Sequence, residues 1–195
     1  MKHTAWYLFV MAEAHRRPKE PELVRAAVLD CARAIVVEGG IAGLSINAVA
    51  ASAGVTKGAV FHHFGSKAAL VEAVFAGLFE ELDREIDASL ADEGDSHGCF
   101  TRAYVATVFR ADERHQMPPR AGLWISAIAD AAIRPLWAGW MERRLERHRA
   151  TDGDVRLALV RHAADGIWLA DIVGVRTDDR AAFHECLMLM TRKDD

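Results

Sequence analysis

Leu44-Ser-Ile-Asn-Ala-Val-Ala-Ala-Ser-Ala-Gly-Val-Thr-Lys-Gly-Ala-Val-Phe-His-His-Phe-Gly-Ser-Lys67 is the stretch whose reading decides the rest of the chain. Ser45 stands where an N-cap belongs, ahead of a short helix from Ile46 to about Ala53. Gly54 breaks that helix, and Thr56 caps a second one that ends near Phe64-Gly65. Ser66 then opens a long helix reaching about Leu90. In the first short helix Ile46, Val49 and Ala50 form the inward stripe, and Ala53 and Gly54 are expected to keep the corner small enough for the second helix to pack across it. On the second helix the ~100° step per residue groups Val60 with Phe64 toward the core. The same step spreads Lys57, Gly58, Phe61 and His62 over an adjoining exposed arc. Two short helices joined by a tight corner make a helix-turn-helix, whose second helix fits a DNA major groove about 12 Å wide.

The residue types on that arc suit a groove. Lys57 can donate to guanine O6 and N7, Phe61 can pack on a thymine methyl, and Gly58 lets the backbone approach closely. Ser45 and Thr56 lie at helix N-termini, where hydroxyls and open N–H groups hold phosphate oxygens. His63 and Lys67 extend the phosphate track. Taken singly each has a plainer role: Ser45 and Thr56 as N-caps, Phe61 as a core aromatic, His62 and His63 as a solvated helix end. A metal role for the histidine pair is disfavoured, because adjacent residues point to different helix faces.

As a set, these residues resemble the DNA-binding signature of the TetR family of transcriptional regulators. The resemblance runs from about Glu22 to Ala76 and is most specific in Ala-Gly-Val-Thr-Lys-Gly-Ala-Val-Phe-His-His-Phe-Gly-Ser-Lys. It implies a homodimer that reads a palindromic operator, usually as a repressor, and leaves DNA when a small ligand binds. By position, Lys57, Gly58 and Phe61 match the family's base-facing residues. Ser45, Thr56, His62, His63 and Lys67 match its backbone-contacting ones. Phe61 and His63 replace common tyrosines, which removes phenolic hydroxyls but not the class of contact.

Outward from the motif, the chain reads as all-α, with about nine helices. A first helix is expected from about Pro21 to Glu38, with Leu23, Ala27, Cys31, Ala34 and Ile35 on its inward stripe and Gly39-Gly40 as its stop. Ala91 to His97 reads as a loop. Further helices are expected near Phe100 to Asp112, Pro119 to Ala132, Pro135 to Arg149, Asp154 to Val173 and Asp178 to Thr191. The expected organisation is an arm-like or disordered N-terminus (1–20), a three-helix DNA-binding domain (21–66) and a larger helical ligand-binding and dimerisation domain (67–195). Met11 is an alternative start, and the brief apolar run Ala5 to Ala12 is shorter than the ~15–30 residues of a secretory signal.

Charge divides along the same line. The net charge of −4 splits into 8 basic against 5 acidic residues over Met1 to Lys67 and 16 against 23 over Ala68 to Asp195. A basic first third suits phosphates, and an acidic remainder suits another task. No apolar run approaches the ~20 residues needed to cross a bilayer. Cys31, Cys99 and Cys186 are odd in number, widely spaced and outside any C-x-x-C pattern, so neither a disulfide framework nor a zinc site is expected, and a cytoplasmic location is.

Four of the five tryptophans fall in the second region. Phe100, Tyr104, Trp124, Trp137, Trp140, Met141 and Trp168 are the candidate ligand-binding residues, with Phe75, Phe79 and Phe109 able to share the lining, for a small molecule with substantial apolar surface. Trp137, Trp140 and Met141, at i, i+3 and i+4, share a face and form the best candidate wall; the plainer reading is ordinary core. Asp130 and Asp165 could draw a cation to it. Leu159, Ala163, Gly166 and Ala170 form one stripe of the penultimate helix, flanked by Val160, Ala164, Ile167 and Trp168. Phe183, Cys186, Leu187 and Met190 form a stripe on the last helix. These two helices are expected to build the homodimer interface. His115, His148, His162, His184 and Asp171 form no catalytic constellation at recognisable spacing, so no enzyme, cofactor or metal is expected. The alternative function is a ligand-binding or protein-interaction helical module that does not read DNA specifically.

Overall fold

A computed structural model describes residues 21–91, 93–110, 124, 129–175 and 179–193. Among them stand nine helices: α1 (Pro21–Gly43), α2 (Ile46–Ser52), α3 (Lys57–Phe64), α4 (Lys67–Leu90), α5 (Cys99–Arg110), α6 (Arg134–Arg147), α7 (Arg149–Asp152), α8 (Val155–Ile172) and α9 (Arg180–Met190). The chain is all-α, as its 3.6-residue periodicity predicts. The expected arm over 1–20 and most of the expected Pro119 to Ala132 helix lie outside the described residues. The short α7 lies almost wholly in the gap between the expected Pro135 to Arg149 and Asp154 to Val173 helices.

Helix starts follow side-chain chemistry closely. Ser45 Oγ accepts from Ala48 N at 3.1 Å, Thr56 Oγ1 from Ala59 N at 3.1 Å and Ser66 Oγ from Ala69 N at 3.0 Å. Each bond satisfies one of the donors that a helix start leaves open. Asp154 and Asp179 cap α8 and α9 in the same way.

The end and the phase of α1 differ from expectation. Regular helix is interrupted at Gly40, with φ 65° and ψ −177°, and a further turn carries α1 to Gly43. The buried stripe is Val28, Ala32 and Val36, whereas Leu23 is 65% exposed. α1 is apolar over a wide arc, so the sequence admits two adjacent stripes. The partner helices select one by packing on Val28, Ala32 and Val36, and Arg33, beside Ala32, then forms a two-pronged ion pair with Glu81 of α4.

α1 to α4 share one core, in which Val28, Ala32, Val49, Val60, Leu70 and Phe75 are fully enclosed. Arg25 lies over the Phe64 ring at 5.2 Å and ties α1 to α3. Beyond them α5 is the hub, packed against α4, α7, α8 and α9. Eight of its twelve residues are buried, from Cys99 to Phe109, as a helix covered on nearly every side requires.

Candidate functional site

The corner between α2 and α3 is set by Gly54, whose φ is 63°. A Cβ built there would meet nothing within 4 Å. The glycine is therefore needed for its left-handed backbone, not for the small corner expected from the sequence. α2 buries Ile46, Val49 and Ala50, and α3 buries Val60 and Phe64. That packing leaves Lys57, Gly58, Phe61 and His62 exposed, with Phe61 at 41%. The Lys57 ammonium lies 5.9 Å from the Phe61 ring centroid, so both stand on one side of α3. Ser45, Thr56 and Lys67 are exposed and His63 is half-buried. The His62 and His63 rings meet edge to face at 5.4 Å.

The aromatic residues separate into two groups. Phe79 of α4 is the centre of the first. Its ring lies 5.4 Å from Trp124, 5.9 Å from Trp137 and 5.8 Å from Trp140, the last nearly parallel. Trp140 is enclosed and donates its Nε1 to Asp83 Oδ1 at 2.8 Å, while Trp137 and Met141 are half-buried. Arg144 reaches the same carboxylate through Nε at 2.6 Å and Asp87 through Nη1 at 2.6 Å. Burial alone would lower the Arg144 pKa, but the hydrogen bonds to Asp87 and Asp83 outweigh it and raise it. One helix, α4, thus carries Phe79 and Asp83 toward the tryptophans and Glu81 toward α1.

The second group surrounds α5. Phe100 and Tyr104 are fully buried. The Phe100 ring stacks on His148 at 5.1 Å and 5°, and Arg161 stands 6.0 Å from its centroid. Tyr104 donates its hydroxyl to Asp165 Oδ1 at 2.5 Å. Burial, then the Asp165 charge, pushes the Tyr104 phenol well above its ordinary range. Burial also raises the Asp165 carboxyl against the opposing hydrogen bond from Tyr104. Trp168 is half-buried on α8, and among the described residues no ring contact joins it to either group. Asp130 accepts from Ala132 N at 2.8 Å and so closes a turn.

Sequence spacing gave no hint of Asp83, Asp152 or Arg161, nor of which rings Phe79 meets, because these contacts join residues about 45 to 61 positions apart. The first tie is the Phe79–Trp140 stack, and the second is the Asp152 carboxylate seated on the first turn of α5, where Oδ1 accepts from Thr101 N at 2.8 Å.

The sequence profile described as "Bacterial regulatory proteins, tetR family" matches residues 28–74. That of "Tetracyclin repressor-like, C-terminal domain" matches residues 98–192. The HTH-type transcriptional repressor KstR2 of Rhodococcus jostii is 27% identical over 159 residues, covering 75% of this chain and 77% of that protein. The HTH-type transcriptional regulator TtgR of Pseudomonas putida is 35% identical over 88 residues, covering 45% of this chain and 42% of that regulator. Among solved structures, the multidrug binding protein EbrR complexed with malachite green superposes with a TM-score of 0.68 at 25% identity, covering 90% of this chain and 100% of that one. A helix-turn-helix with an exposed polar arc, joined to an aromatic-rich helical body, defines a ligand-responsive, DNA-binding regulator of transcription rather than an enzyme. The chain belongs to the TetR family of transcriptional regulators. Regulators of this family bind operator DNA and small molecules as dimers.

Proposed function

We propose that the protein is a repressor that reads a palindromic operator as a homodimer, with residues 21–66 as the reading unit and 67–195 as the ligand-binding and dimerisation unit. The observation that carries this reading is the division of α3 between a buried Val60/Phe64 face and an exposed Lys57, Gly58, Phe61 and His62 face. Lys57, Gly58 and Phe61 meet base edges, with His62 beside them at the backbone. Ser45, Thr56, His63 and Lys67 hold phosphates. Capping does not compete with that role: Ser45 and Thr56 use an oxygen lone pair to cap and keep their O–H as a donor.

α8 and α9 supply the dimer interface. Leu159 on α8 and Phe183 on α9 are 60% and 48% exposed, and Ala163, Gly166 and Cys186 lie exposed with them, while Val160 and Ala164 face inward. A second copy of the same pair of helices covers this face as a four-helix bundle.

A small molecule of largely apolar surface binds against Trp124, Trp137, Trp140 and Met141; Phe100 and Tyr104, enclosed around α5, and Trp168 on α8, the other expected contacts, make no ring contact with that wall among the described residues. Arg144 already compensates the Asp83 carboxylate at that wall, which favours an apolar ligand over a cation. Displacing Phe79 or Asp83 moves α4, and α4 pulls α1 through Glu81 and Arg33. The two reading helices then lose the spacing of about 34–36 Å that successive major grooves demand. Its site of action is the cytoplasm, where operator DNA lies.

The deciding experiment is selection of genomic fragments by the purified protein at moderate salt. A palindromic consensus is expected, and the double variant Lys57→Ala, His62→Ala should lose it. Failure to enrich any sequence, or unchanged binding by the double variant, removes the assignment of the exposed arc.

A further inference from the structure

The first turn of α5 meets the turn around α7 at a cluster that neither the DNA-reading surface nor the tryptophan wall uses. The Cys99 sulfur, a ring nitrogen of His148 and a carboxylate oxygen of Asp152 all lie within 4.8 Å of one another. Cys99 and Asp152 are buried and His148 is half-buried. We propose that Cys99, His148 and Asp152 form a binding site for one thiophilic divalent cation of zinc's class.

Donor chemistry supports the choice of ion. Thiolate, imidazole and carboxylate together suit a borderline-soft cation in tetrahedral geometry, with a water in the fourth position. Bond lengths of about 2.0–2.3 Å place tetrahedral ligands about 3.5 Å apart, so the cluster closes by roughly 1 Å through side-chain rotation.

The orientation of each donor is already set. The His148 ring is held flat against Phe100, and its Nε2 is enclosed with no hydrogen-bond partner among the described residues. Asp152 divides its labour between two oxygens. Oδ1 accepts from Thr101 N at 2.8 Å and Thr101 Oγ1 at 2.6 Å, which caps α5. Oδ2 accepts from Phe100 N at 3.2 Å and Thr151 Oγ1 at 2.8 Å, and lies 3.8 Å from Cys99 Sγ. The Cys99 thiol also points at Thr151 Oγ1, 3.6 Å away. The cation takes the place of the thiol proton, which leaves to solvent; the S–H bond breaks, an S–metal bond forms, and no electron is transferred. Thiolate and carboxylate then offset the double charge, with the carboxylate shared with Arg161 Nη1 at 4.0 Å from Oδ1, and Oδ1 goes on capping the helix.

The ligands come from segments some 50 residues apart, which is why the spacing of cysteines and histidines in the sequence contains no zinc motif. Occupancy fastens α5, the hub of the larger domain, to the turn that follows α6.

Cobalt(II) alone, added to the chelator-stripped full-length protein, tests the site. The expected result is one ion per protomer with a thiolate-to-cobalt charge-transfer band that zinc abolishes by displacement. C99S should lose the band, and C31S and C186S should keep it. Because C99S alters a buried position, H148Q, with unchanged far-ultraviolet circular dichroism, is the second reading. It should bind cobalt at least about tenfold more weakly. Absence of the band in the wild type, its survival in C99S, its loss in C31S or C186S, or wild-type affinity in H148Q overturns the proposal.

Discussion

Asp152→Ala should be among the most damaging single substitutions in the larger domain, although the residue sits at the end of a four-residue helix far from α5 in sequence. Its carboxylate is enclosed, accepts from Phe100 N, Thr101 N, Thr101 Oγ1 and Thr151 Oγ1, and lies 4.0 Å from Arg161 Nη1. Alanine removes an N-cap, worth about 1–2 kcal/mol. It also strands a buried guanidinium, for which loss of one partner costs about 3–5 kcal/mol. The two overlap, since the same oxygen serves both, and Arg161 keeps Thr101 Oγ1 at 2.6 Å. The lower end, about 3 kcal/mol, is therefore expected. With an m-value of about 2 kcal/mol/M, the urea midpoint should fall by about 1.5 M. The assay is urea unfolding by circular dichroism at fixed protomer concentration with chelator present, so that dimerisation and metal binding contribute equally to both proteins. Asp154→Ala is the control: it removes an exposed cap that accepts from Arg156 N, and should cost about 1 kcal/mol. A loss for Asp152→Ala no greater than for Asp154→Ala would refute the view that this carboxylate organises α5.

Three other outcomes are expected. Leu159→Glu with Phe183→Glu places charges that enter a twofold interface twice; at about 2 kcal/mol for each such pair of charges, the dimer should weaken roughly 1000-fold, seen by light scattering. Lys57→Ala should cost about 1–3 kcal/mol per half-site and relax base preference, whereas Lys67→Ala should weaken binding evenly and lower the salt slope by about 1 per half-site, about 2 for the dimer, both read by fluorescence anisotropy. Burial holds the Asp165 proton to higher pH in the folded state than its ordinary value of 3.8, against the pull of the Tyr104 hydrogen bond, His162 and Arg161. Between 3.8 and the raised value the folded protein carries more protons, so the contribution of this group to stability falls as pH rises through that window. Asp165→Asn should flatten that slope in urea titrations at stepped pH; an unchanged slope excludes the group.

The reading surface was legible in the sequence because every rule it obeys is local. Caps at Ser45, Thr56 and Ser66, the break at Gly54 and the 3.6-residue step that hides Val60 and Phe64 act within a few residues. The arc of Lys57, Gly58, Phe61 and His62 follows from them without knowledge of any distant contact. Even there, the reason for Gly54 lies in the folded backbone, since a left-handed φ and a tight corner call for the same residue.

By itself, then, the sequence determined the helical class, most helix boundaries and the exposed face of α3, all of which depend on neighbours in the chain. Tertiary structure decided which apolar stripe α1 buries, because α2, α3 and α4 pack on Val28, Ala32 and Val36. It also decided that Phe79 joins the tryptophans while Trp168 stands apart, and that Cys99 meets His148 and Asp152. Those outcomes depend on how helices pack across some 50 intervening residues, where periodicity names a face but not the partner that covers it.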